Sequence, residues 1–88
     1  MRTVVFYDTA DVTMEQMMEV YPRHEAFEKE FVKTGKVLGI GPFSNPGEGA
    51  MAIFSDREAA EYFVKNDPFV LEGIVAKVTI KDWVDDLE

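Results

Sequence analysis

The chain carries a single histidine and no cysteine, so proton transfer, nucleophilic attack and metal ligation have few residues to draw on. Histidine is the side chain whose ordinary pKa, ~6.5, suits it to take and return protons near neutrality. His24 lies on an apolar stripe, Met17, Val20, Phe27 and Phe31, whose spacing of three and four passes through position 24. On such a stripe a histidine is either a core residue with one nitrogen tied to a backbone carbonyl, or a general base. A base needs a carboxylate to hold its ring. Asp67, in Lys65-Asn66-Asp67-Pro68-Phe69, is attractive because an aspartate at a helix entry is held rigidly by the turn it caps. Asp followed by Pro is also ordinary capping chemistry, so each residue carries a structural reading beside the chemical one.

Other constellations are weaker. Asp82, Asp85, Asp86 and Glu88 form an acidic tail without ligand spacing, which reads as a solvated terminus, and no metal site is expected. Gly39-Ile40-Gly41-Pro42 has neither the spacing nor the following helix of a dinucleotide loop. Ser44 and Ser55 lack a nucleophile-elbow context, and Met14, Met17 and Met18 read as pliable packing, so no cofactor is expected. Tyr7, Phe43 and Trp83 are candidate cleft walls, each with plain packing as its simpler role. Seventeen acidic against nine basic residues leave a net charge of −8, which repels nucleic-acid phosphates and anionic membranes. No apolar run approaches the ~18 residues of a membrane helix, and Asp8 interrupts the N-terminus too early for a secretory signal. The expectation is one cytoplasmic domain spanning residues 1–88.

The elements that must position these residues follow from pattern. Residues 2–7 are β-branched and aromatic, a strand. Thr13 with Gln16 three residues on is a capping box that opens a helix, with Glu25, Glu28, Lys29, Glu30 and Lys33 on its polar side. Pro22 predicts either a kink or a restart; a restart would put His24 in a first turn, beside the positive end of the helix dipole. Gly35 is the expected stop. Residues 36–43 read as a second strand, 44–49 as a loop and 50–54 as a third strand. A helix capped by Ser55, with Glu58 as box partner, runs to about Lys65; Asp67-Pro68 starts a short turn that Gly73 ends. Residues 74–84 alternate as a final strand. The order βαββαβ predicts a ferredoxin-like α+β fold, a four-stranded antiparallel sheet with both helices on one face. Strands one and three are apolar on both faces, and helices cover only one. The other face predicts a homodimer in which two sheets meet, burying roughly 2,000 Å² or more.

The helix with His24, Gly35, Gly41-Pro42 at a strand end, Asp67-Pro68-Phe69 with Gly73, and a last strand closing on Trp83 together resemble the YciI-like (YCII-related) proteins over essentially the whole chain. The resemblance implies a dimeric α+β barrel with an active site made of a His–Asp pair, which by motif falls on His24 and Asp67. It also implies chemistry of the kind seen in that superfamily: dehydrochlorination of a hydroxylated ring, lactone isomerisation, cofactor-free oxygenation. Members often carry an arginine three residues before the histidine, where this chain has Tyr21; its own Arg23 is adjacent to His24 and faces elsewhere on a helix. The leading expectation is a small cofactor-independent enzyme of lyase or isomerase type acting on a small cyclic or aromatic molecule. The alternative is a non-enzymatic dimeric domain that binds a small ligand or serves as an accessory.

Overall fold

The computed structural model describes residues 1–88. The elements run β1 (Arg2–Thr9), α1 (Met14–Val32), β2 (Val37–Pro42), β3 (Ala50–Phe54), α2 (Arg57–Asn66), α3 (Pro68–Leu71) and β4 (Val75–Trp83). The four strands form one sheet in the order β2-β3-β1-β4, every neighbouring pair antiparallel. This is the ferredoxin-like α+β arrangement that the element order predicts.

Register sorts the side chains into two populations, because successive residues of a strand face opposite ways. Val5 sits between Ala52 on β3 and Ile80 on β4. It joins Ala52 and Phe54 in packing against Phe31 of α1 and Ala59, Ala60 and Phe63 of α2. Phe63 is the hub: its ring centroid lies 5.0 Å from Phe27, 5.3 Å from Phe31 and 5.4 Å from Phe54, tilted or edge-on, as aromatic quadrupoles favour. Val4, Phe6, Met51, Ile53 and Trp83 line a shallow depression on the opposite face, which no helix covers.

Several local expectations shift. Thr13 and Gln16 form the capping box in both directions. Pro22, however, neither restarts nor ends α1, which continues from Met14 to Val32, so His24 stands in mid-helix, away from the dipole's positive end. Tyr21, Pro22 and Arg23 form an exposed turn, where water can serve the Met18 carbonyl that the proline leaves without a donor. The packing of Val20 and Phe31 on either side holds the helix together across it. The cap of α2 is Asp56 rather than Ser55: its Oδ1 accepts from the Ala59 N–H at 2.8 Å, which leaves Glu58 one position short of a box. The outer strands are shorter than their apolar patterns, ending at Pro42 on one edge and starting after Ile74 on the other. Ile74 is instead a buried tie. Its N–H donates to the Phe69 carbonyl at 2.9 Å and its carbonyl accepts from Ala10 at 2.8 Å, anchoring α3 to the end of β1.

One glycine sets a close approach. Gly49 has φ +94°, and a Cβ there would collide with the Tyr7 carbonyl oxygen, so only glycine lets the hairpin lie against β1 at that point. No helix is long and apolar enough to cross a membrane.

Candidate active site

α1 packs on α3 and closes on the sheet at Phe31, but over Met17 to Glu28 a gap separates its inner side from the strands. The gap is a cavity of about 340 Å³. Its walls are mostly apolar: Val5, Met17, Ile40, Ala52 and Phe63 are among them. The polar side chains on its lining are Tyr7, Tyr21, His24 and Glu28.

The polar set is assembled by elements far apart in sequence. Asp67 caps α3, its Oδ1 accepting from the Phe69 N–H at 3.0 Å, and is wholly buried at 0% exposure. A buried carboxylate must be satisfied or it costs several kcal/mol. The same Oδ1 lies 2.7 Å from Nδ1 of His24, and Oδ2 accepts from the Tyr7 hydroxyl at 2.8 Å. An ionised carboxylate that already takes a backbone N–H is acceptor only, so the histidine proton on this side sits on Nδ1. Burial, and after it the negative charge of Asp67, push the Tyr7 phenol far above its ordinary range, so its hydroxyl stays protonated and keeps donating. The Phe69 ring stacks on the imidazole, 3.9 Å between centroids and 5° between planes, and fixes the ring from its flat side.

The other ring nitrogen faces Glu28, with Nε2 3.1 Å from Oε2. The His24 side chain is 12% exposed and that of Glu28 32%, so this end of the set is open where the Asp67 end is sealed. A ring held by Asp67 on one side and Phe69 on its face presents its second nitrogen, in contact with Glu28, where a proton can be exchanged at the cavity end.

The structure thus brings His24 and Asp67 together, and places Tyr7 on the cavity. Phe43 and Trp83 do not reach it: Phe43 is absent from the lining, and Trp83 lies on the uncovered sheet face. Glu28 is a correction too. It belongs to the cavity rather than to the polar side of α1, and its spacing of four from His24 was the available signal. Tyr21 lines the cavity, but its hydroxyl turns out to Glu25 at 2.9 Å. That hydrogen bond raises the Tyr21 phenol and lowers the Glu25 carboxyl. Arg23 pairs with Glu72 at 2.9 Å on the surface, away from the cavity. No group of three or more acidic or histidine residues has the geometry to hold a metal ion.

Fold and cavity define a ferredoxin-like α+β domain in which buried Asp67 holds half-buried His24 and Tyr7 beside an apolar chamber. The family model of the YCII-related domain matches residues 1–84, and the chain belongs to that family. Among solved structures it is similar to 5-chloro-2-hydroxyhydroquinone dehydrochlorinase from Burkholderia phenoliruptrix AC1100, solved with 2,5-dihydroxybenzoquinone. That match has a TM-score of 0.76 at 20% identity, covering 96% of this chain and 94% of that one. It is also similar to a dimeric protein of unknown function and ferredoxin-like fold from Bacteroides fragilis NCTC 9343, with a TM-score of 0.52, 20% identity and 93% and 92% coverage. A hypothetical protein from Arabidopsis thaliana gives 0.52 at 14% identity, covering 93% and 84%. No curated protein sequence matches the chain.

Proposed function

We propose that the chain is a small cofactor-independent enzyme of lyase or isomerase type, acting on a small cyclic or aromatic molecule held in the cavity, with His24 and Asp67 as its catalytic pair. The observation that carries this is the His24–Asp67 contact of 2.7 Å at the sealed end of a ring whose other nitrogen meets Glu28 on the cavity lining. With the proton of the Nε2–Glu28 contact on Glu28 and that contact opened by the ligand, Nε2 takes a proton from a substrate carbon or hydroxyl as the bond to that proton breaks. The released electron pair forms a new double bond. A leaving group then departs with its own pair, which is elimination, or the proton returns at another carbon, which is isomerisation. Both outcomes are redox-neutral, so a proton carrier suffices for them. Asp67 holds the Nδ1–H tautomer and stabilises the imidazolium, and Tyr7 keeps the second carboxylate oxygen occupied so that Asp67 cannot turn. The dehydrochlorinase of the same fold supports the choice of reaction class.

Chloride release and carbon-bound deuterium incorporation, followed by NMR over a panel of chlorinated and hydroxylated cyclic compounds, test this reading. Turnover of at least one compound is expected, at least ~10³-fold slower in a folded His24→Ala variant. Turnover unchanged in that variant would remove His24 from the reaction.

The protein acts as a homodimer on this reading. The uncovered sheet face supports it: Phe6, Met51 and Ile53 offer half-buried apolar side chains. On β2 the residues paired with Ile53 and Met51 are Gly39 and Gly41, which leave that part of the face flat for a second sheet. A second reading, a ligand-binding domain without catalysis, is favoured by one observation: Glu28 already engages the nitrogen that a base must present.

A further inference from the structure

The charge inventory of the cavity is lopsided. The lining contains no lysine or arginine. Its hydrogen-bond donors are spent: the Tyr7 hydroxyl and His24 Nδ1 on Asp67, the Tyr21 hydroxyl on Glu25. The 3.1 Å contact between Nε2 and Glu28 Oε2 requires one proton between them. If it sits on nitrogen, an imidazolium faces two carboxylates; if on oxygen, a neutral ring faces one carboxylate and one carboxylic acid. Wherever the proton lies, the His24–Asp67–Glu28 set keeps one uncompensated negative charge. Asp67 is sealed away, so the carboxyl group that a ligand meets is that of Glu28, whose Oε1 has no protein partner.

Resting on the reading of this cavity as a small-molecule site, we propose that it selects uncharged, hydroxyl-bearing ligands over carboxylates, and that Glu28 makes the choice. Oε1 of Glu28 accepts the ligand's hydroxyl, while a carboxylate brought into the same apolar chamber meets a negative set with no cation on the lining to offset it. A like charge a few ångströms away across a poorly screened cavity costs tenfold or more in affinity, even at an effective dielectric of ~20. Arg23, the one cation next to His24 in sequence, cannot relieve this, because its guanidinium is turned outward to Glu72.

The isosteric pair 4-hydroxybenzamide and 4-hydroxybenzoate isolates charge from shape. Each is titrated into the full chain near pH 7.5 while the ring signals of Tyr7, His24 and Phe69 are followed by NMR. The amide is expected to bind at least about tenfold more tightly than the carboxylate. In Glu28→Gln, which keeps size and an acceptor oxygen, adds an N–H donor and leaves the negative charge on sealed Asp67 alone, that preference should fall to about threefold or less. A wild-type chain that binds the carboxylate as tightly as the amide overturns the selectivity while leaving the cavity reading intact. A preference that survives unchanged in Glu28→Gln removes Glu28 from it. If neither compound perturbs those rings, the cavity is not a site for small hydroxylated rings, and both readings fall together.

Discussion

The two faces of the sheet are built from alternate residues of the same strands, yet they solve different problems. On the helix side, Thr3, Val5 and Tyr7 of β1 run from a packed end to a polar one, with Val5 in the core and Tyr7 bonded to Asp67. On the other side, Val4 and Phe6 belong to a mostly apolar surface edged by Lys81 and Asp82. The first face gains specificity from a buried carboxylate that three donors address; the second offers only area. A side chain lost from the first should therefore damage one molecule, and a side chain lost from the second should damage an assembly.

Asp67→Ala is the largest expected effect. It leaves the Tyr7 hydroxyl, the His24 Nδ1–H and the Phe69 N–H without their shared acceptor in a buried place, a loss of roughly 3–5 kcal/mol in denaturant unfolding. Asp67→Asn, which still caps, should cost clearly less. If Asp67→Ala costs only the ~1 kcal/mol of a lost cap, the three-donor account is wrong.

Ile53→Lys tests the other face. Sedimentation should find wild-type chains as dimers at micromolar concentration, and the variant as a monomer of 10.0 kDa that keeps its native circular dichroism. A wild-type monomer would mean that the uncovered face has no partner copy.

Tyr7→Phe sits between the two, since only one hydroxyl is removed. A hydrogen bond to a charged acceptor is worth about 1.5–3 kcal/mol, so thermal unfolding should shift by a few degrees while the dimer persists. Loss of the dimer instead would show that the two faces are coupled.

The smallest effect belongs to neither face. The Ala59 N–H, and after it Lys36, hold the Asp56 carboxyl below its ordinary 3.8. A depressed carboxyl stabilises the fold above its unfolded value and gives that up as pH falls through the folded one. Asp56→Asn should therefore lose slightly less stability than wild type on acidification from about pH 5 to pH 3. An acid profile identical to wild type would show that the cap carries no pH dependence.

How much of this was legible in the sequence varies with the range of the interaction. Strands and capping boxes are local, and their alternation and spacing give β3 and the Thr13–Gln16 start as observed, while β1 runs two residues past the expected 2–7, through Asp8 and Thr9. The α2 cap slipped by one residue because Ser55 and Asp56 are both good caps, and only the backbone decides between them. Pro22 carries a large local penalty, yet apolar contacts on both sides keep α1 whole, which no local rule can weigh. His24 and Asp67 were visible as a lone histidine and an Asp-Pro turn. Tyr7 was seen only as a wall, since its partner is 60 residues away. Glu28 was missed when the acidic residues of α1 were grouped as one solvent-facing set. Trp83 was misplaced although strand parity already separates it from Ile80.

The central claim is that buried Asp67 holds His24 as the Nδ1–H tautomer and leaves Nε2 for the cavity. Long-range proton–nitrogen correlation NMR on ¹⁵N-labelled protein reads both ring nitrogens of the single histidine directly. The account predicts Nδ1 in the protonated range in the folded chain near pH 7.5, with Nε2 alone responding when a cavity ligand is added. A ring protonated on Nε2 with a bare Nδ1 would contradict it.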